Sequence, residues 1–305
     1  MIKRVCRSLP AVAGCVVLAL GILLAVGALL PVQAEETPAQ DYSHTAALLN
    51  QGLGARAMGM GGAAAAIATD ASAVYYNPAL LALLYGNSVV SSYASNWGAL
   101  GYLNLAYARP NLGVGILRMA AGGEGADEFG NPGPSYRVEE LASLAGAGWA
   151  FSPSFAVGVT GKYFSQTLPN TRGHGFTADV GAAYELENLR LGLVARNALG
   201  GVRYEPSGVL DPFERTWVLG AGYQMGNLLL AADVESQPSV GTVVHTGAAY
   251  DFGPAELRCG AWNPGSGWAL TLGLGLRWQA IQVDYAFEAH PVSKAAHRLG
   301  AVLRF

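Results

Sequence analysis

Thirteen ionisable residues share one parity along period-2 hydrophobic segments: Lys162, Asp179, Arg190, Arg196, Asp233, Glu235, His245, Glu256, Arg258, Arg277, Asp284, Glu288 and Arg298. A ring of one sign would make an ion-selective constriction. Mixed signs point instead to a lumen held by ion pairs and hydrogen bonds, with a charged-ligand site as the other reading. Gly52-x-Gly54-x-x-Ala57 and Gly59-x-Gly61-x-x-Ala64 match a loose dinucleotide fingerprint. Neither follows a strand, and no βαβ unit surrounds them, so neither is read as a cofactor loop. His44, His174, His245, His290 and His297 show no metal-ligand spacing. No nucleophile elbow or clustered acid–base pair stands out. The expectation is therefore no enzyme, no cofactor and no metal.

Those parities need strands to carry them. From Asn87 onward the chain divides into fourteen segments of alternating hydrophobicity: 87–95, 100–109, 112–121, 140–151, 155–167, 175–185, 189–198, 215–225, 228–236, 243–252, 255–262, 268–278, 280–290 and 296–305. Connections after even-numbered segments are tight, such as Pro110-Asn111, Gly226-Asn227 and Gly253-Pro254. Those after odd-numbered segments are usually longer, notably 122–139 and 199–214. Short turns on one side and long loops on the other are the asymmetry of an outer-membrane barrel. Trp268, Leu270, Leu272, Leu274, Leu276 and Trp278 fall on one face of 268–278, and Thr271, Gly273, Gly275 and Arg277 on the other. At about 3.3 Å per residue and about 40° tilt, the two tryptophans stand roughly 25 Å apart along a membrane normal, the height of an apolar band between aromatic girdles. Arg118 breaks the pattern, sharing a face with Val114 and Ile116.

The N-terminus supports export. Lys3, Arg4 and Arg7 precede the apolar run 11–30, Pro31 breaks it, and Val32-Gln33-Ala34 offers small residues at the positions a signal peptidase reads. A leader over 1–34, cleaved after Ala34, is expected. A retained anchor and lipoprotein processing at Cys15 are the rival readings, the second disfavoured because most of the apolar run follows Cys15. No later run reaches the length of a spanning helix. Yet 51% of the chain is hydrophobic and 13% charged, against about 25% charged in soluble domains. Low charge without spanning helices fits an all-β, 14-stranded antiparallel transmembrane barrel over 87–305. Past the leader, Cys259 is the one cysteine, and 15 basic against 21 acidic residues remain, which gives no footprint for nucleic acid. The chain ends in alternation running to Phe305. This is similar to the C-terminal signal read by the barrel-assembly machinery.

Residues 35–86 form a separate N-terminal segment, and 42–86 within it do not alternate. They carry Gly59, Gly61 and Gly62, an Ala-rich stretch, then Asp70 and Asn77-Pro78-Ala79. Small residues suit a plug inside a barrel. Asp70 is a candidate cap for a helix over 71–76. Asn77 before Pro78 favours an extended or turn conformation and hydrogen bonds to nearby backbone.

The series Gly54-x-Arg56-x-x-Gly59-x-Gly61-Gly62-Ala63, then Asp70-x-x-Ala73-x-Tyr75-x-Asn77-Pro78-Ala79, resembles the N-terminal region of the FadL superfamily. In size and motif it is most similar to the shorter PorV/PorQ-like members. The resemblance implies a fourteen-stranded barrel in outer-membrane lipid and passive transport of a hydrophobic ligand, which meets the plug and leaves sideways through the wall. The alternative it implies is a PorV-like partner of type IX protein secretion that holds exported proteins.

Overall fold

The computed structural model describes residues 46–96, 100–126, 132–263, 267–291 and 295–305. The expected leader lies outside them. Sixteen strands are described: β1 (Ser88–Asn96), β2 (Leu100–Arg109), β3 (Leu112–Ala126), β4 (Pro132–Ser152), β5 (Phe155–Leu168), β6 (Thr171–Leu186), β7 (Leu189–Arg196), β8 (Gly201–Glu205), β9 (Leu210–Pro212), β10 (Thr216–Met225), β11 (Leu228–Gln237), β12 (Gly241–Asp251), β13 (Ala255–Trp262), β14 (Ala269–Trp278), β15 (Ile281–Ala289) and β16 (Ala296–Arg304). All but β8 and β9 make a closed antiparallel wall of fourteen, with β1 hydrogen-bonded to β16 and β5 to β6. Closure leaves no strand edge to satisfy in lipid. The fourteen alternating segments of the sequence are these wall strands.

Two differences lie in the long loops. Much of 122–139 is strand, because β3 and β4 pair on past the wall as far as Ala126 and Pro132. Within 199–214 the chain makes a small hairpin, β8 and β9, whose first strand pairs with the upper part of β6. These stretches are short or Gly-rich and gave no alternation to read.

Facing follows the pleat. In β14, Leu270 and Leu272 are each 60% exposed while Ala269 and Thr271 are buried. Exposed aromatics gather at two heights: Trp149, Phe151, Tyr184, Tyr250 and Trp278 near the tight turns, and Tyr93, Tyr163, Phe176, Trp217 and Trp268 toward the loops. Between them the outward face is apolar, the belt a bilayer requires. Arg118 faces outward as its parity says, at the upper aromatic height, and is paired with Glu139 at 2.6 Å.

Residues 46–86 fill the lumen. They run through a 3-10 turn (Ala47–Asn50), helix α1 (Ala55–Gly59), helix α2 (Ala73–Tyr76) and a second 3-10 turn (Pro78–Leu83) before entering β1. Small residues make this possible: Ala63, Ala64, Ala65 and Ala66 are all buried. Most of the segment is buried whichever way its side chains point, so nothing selects period-2 alternation.

Candidate functional site

The chemistry-bearing residues converge on the contact between plug and wall. Around β10–β16 the wall meets the plug with polar groups. The Asp233 carboxylate accepts hydrogen bonds from the Ala64 and Ala65 amides at 2.8 and 2.9 Å. His245 Nδ1 lies 2.7 Å from the Gly61 carbonyl oxygen, so Nδ1 carries the proton. Thr271 Oγ1 accepts from the Gly61 amide and donates to the Gly59 carbonyl. Arg298 donates to the carbonyls of Gln51 and Gly54, and Arg56 of α1 pairs with Glu256 at 3.2 Å. Gly61 and Gly62 turn the chain here with φ of 66° and 86°, a region that favours glycine. Gly59 instead serves close approach, for a Cβ on it would stand 3.0 Å from Gly273 Cα.

Around β2–β6 the seat is mainly apolar. Val74, Leu80 and Leu81 pack in one buried cluster with Tyr102, Leu117, Leu144 and Phe164. Glycines on the inward face make the groove: a Cβ on Gly158 would collide with the Pro78 backbone, and one on Gly113 would stand 2.9 Å from Leu81. Their presence inside strands, otherwise unfavourable, is explained by the plug. Asn77 ties the two seats. Its side chain donates to the carbonyls of Ala65 and Ala182 and accepts from the Ala79 amide. Pro78 opens the following 3-10 turn, where its missing N–H costs nothing. Tyr75 and Tyr76 are buried beside α1, and burial pushes both phenols above their ordinary pKa. They stay neutral, with their oxygens held by the Gly52 and Leu53 amides.

Asp70 is placed differently from the expectation. Helix α2 begins at Ala73 and Ser72 occupies the cap position. The Asp70 carboxylate instead binds the Ser72 amide and hydroxyl at 3.0 and 2.6 Å, closing a turn before the helix, and reaches Arg304 of the last strand at 3.6 Å.

The inward charges pair with one another. Lys162 meets Asp179 at 2.7 Å and Asn197 at 3.1 Å. Arg196 meets Glu235 at 3.3 Å. Arg258 bridges Glu256 and Asp284, and Arg277 bridges Glu256 and Asp251. Arg190 pairs with Glu185, and Glu288 accepts from the Trp262 indole. Asp233 and Arg298 stand apart, each spending its bonds on plug backbone. Sequence parity missed Glu140, which accepts from the Leu48 amide, and Tyr102, which donates to Gly52. Glu140 has the inward parity of β4 but lay at the border of the alternating segment. Tyr102 reads as one more aromatic.

The passage is closed. A cavity of about 20 Å³ lies between the plug and β1, β15 and β16, lined by Leu53, Met60, Ile67, Val90 and Val302 with Asp70 and Asp284 beside them. It holds about one water, whereas small-molecule sites occupy about 300–1,000 Å³. β2 and β3 pair without interruption from Leu100↔Ala121 to Arg109↔Leu112.

No family model matches the chain, and no curated protein matches it. Solved structures do. The toluene transporter TodX of Pseudomonas putida is 16% identical over 83% of this chain and 97% of its own, with a TM-score of 0.58. A FadL homologue of Pseudomonas aeruginosa is 12% identical over 83% and 98%, again at 0.58. These likenesses establish the barrel architecture.

Proposed function

We propose that the chain is an outer-membrane channel for small hydrophobic molecules, with residues 46–86 as its gate. The observation that carries this is the lumen. It is filled by a segment the wall is shaped to receive, and a cavity left between plug and wall is lined mainly by apolar side chains. A pore for polar solutes would keep a hydrated channel; here most inward charges pair with one another, and Asp233 and Arg298 bind plug backbone. The fold shared with a protein named as a toluene transporter supports the reading. Tight turns then face the periplasm and long loops the exterior. Passage requires displacing the plug, since the cavity is smaller than any such solute. The secretion-partner alternative finds no specific feature of the described residues in its favour.

The test is uptake of toluene by Gram-negative cells that lack hydrocarbon channels of their own. Cells making this protein should accumulate it several-fold faster, with entry of a polar sugar unchanged. Equal toluene uptake with and without the protein in the outer membrane would reject the channel.

A further inference from the structure

We propose that the outward face of β3–β6 and β8, just above the upper aromatics, binds a lipid whose headgroup carries two phosphates. The proposal rests on the outer-membrane orientation given above and not on transport. Strand register places the residues in rows. The lowest row is Val114, Ala145, Gly161 and Ala178. Above it run Ile116, Ser143, Tyr163 and Phe176, then Arg118, Leu141, Ser165, His174 and Arg203, then Ala120, Glu139, Thr167, Arg172 and Glu205, with Arg137 above Glu139.

This arc is where outward cations collect. Of the described lysines and arginines at outward strand positions, Arg109 stands at the tight-turn end. The other four, Arg118, Arg137, Arg172 and Arg203, stand at the loop end on these strands. A fifth, Arg215, is exposed just ahead of β10 at the loop end and donates to the Ala198 carbonyl. Glu139 is shared between Arg118 at 2.6 Å and Arg137 at 3.5 Å, which leaves that group net positive. Arg172 and Arg203 are exposed and make no ion pair among the described residues, although Glu205 sits opposite Arg172 in register.

Depth identifies the occupant. The Tyr163 and Phe176 rings pack at 4.8 Å one row below Arg118 and Arg203 and two below Arg172, and aromatic rings mark the level where hydrocarbon gives way to headgroups. Guanidinium groups bind phosphate bidentately. From β3 to β8 is four strand spacings, so Arg118 and Arg203 originate about 19 Å apart, a span that one wide headgroup with two phosphates can bridge. Below the aromatics, Ala145, Gly161 and Ala178 leave a smooth strip on which acyl chains can lie.

The experiment reconstitutes the full chain in phosphatidylcholine nanodiscs doped with diphosphorylated lipid A or with the same lipid dephosphorylated. Native mass spectrometry after release then counts retained lipid. The wild-type chain should retain the diphosphorylated form several-fold over the dephosphorylated one. R172Q/R203Q should lose that preference, and R109Q, at the opposite end, should keep it. Equal retention of the two lipids by the wild-type chain overturns the site without any variant, as does an unchanged preference in R172Q/R203Q. Loss of toluene uptake alongside an intact phosphate preference would reject the channel and leave this site standing; the reverse result would reject the site alone.

Discussion

The two seats of the plug hold it by different physics. Against β2–β6, Val74, Leu80 and Leu81 are buried among Tyr102, Leu117 and Phe164. Against β10–β16, the stretch from Gly59 to Ala65 is held through Thr271, His245 and Asp233. Water cannot replace apolar packing, and exposing a large apolar side chain costs about 1.5–3 kcal/mol. Water can replace hydrogen bonds, whose net worth is about 0.5–1.5 kcal/mol each. The polar seat is thus the cheaper one to open, and the cavity lies on that side. On the proposed function, stability falls mainly to one seat and gating to the other.

Deleting 46–76 removes every occupant of the polar seat and Val74 from the apolar one, and should have the largest effect. The wall strands pair with each other without the plug, so a barrel should still fold. Single-channel conductance in planar bilayers should rise, because a plugged lumen becomes a water-filled one. Unchanged conductance in a folded barrel would mean the segment does not close the passage.

Leu81→Ala breaks the apolar seat alone. It should lower stability by about 2–5 kcal/mol, as truncation of a buried leucine does, read by reversible unfolding in detergent, while conductance stays low. Asp233→Asn breaks the polar seat alone. The Ala64 and Ala65 amides keep one acceptor oxygen but lose its charge, so the stability cost should be smaller, about 1–3 kcal/mol. Conductance should now show brief openings. If Leu81→Ala opens the channel and Asp233→Asn does not, the division of labour is the wrong way round.

Most of the wall was legible in the sequence because each wall strand has one face toward lipid and one toward the lumen, and period 2 is the direct record of that difference. Arg118 looked like an exception only because its partner Glu139 lies on the neighbouring strand. The seats were less legible. Thr271 reads only as one more position on the lumen face, yet it is 2% exposed and clasps Gly59 and Gly61. An arginine there would meet the plug backbone. Asp233 and Lys162 have the same parity, but one binds plug amides and the other an aspartate. What separates them is which segment fills the lumen opposite, and that depends on a long-range fold that no local pattern encodes. Asn77-Pro78 was readable as a turn because the bond from the Ala79 amide is local; its bonds to Ala65 and Ala182 span the fold and were not.

Phe305 supplies the baseline for both seats, since it belongs to neither. Its backbone exchanges hydrogen bonds with Asn87 at the start of the wall, and its ring is 64% exposed. Removing it leaves the plug, the inward ion pairs and the seam from Ser88↔Arg304 onward in place. Unfolding free energy should therefore change by only about 0.5 kcal/mol, the usual scale for a surface position, and conductance should not change. Outer-membrane levels in cells should nevertheless fall sharply, because a terminal aromatic on an alternating strand is the feature the assembly machinery would read. Normal cellular levels of the truncated chain would remove that role. A stability loss as large as that of Leu81→Ala would show that the end of β16, not the apolar seat, anchors the barrel.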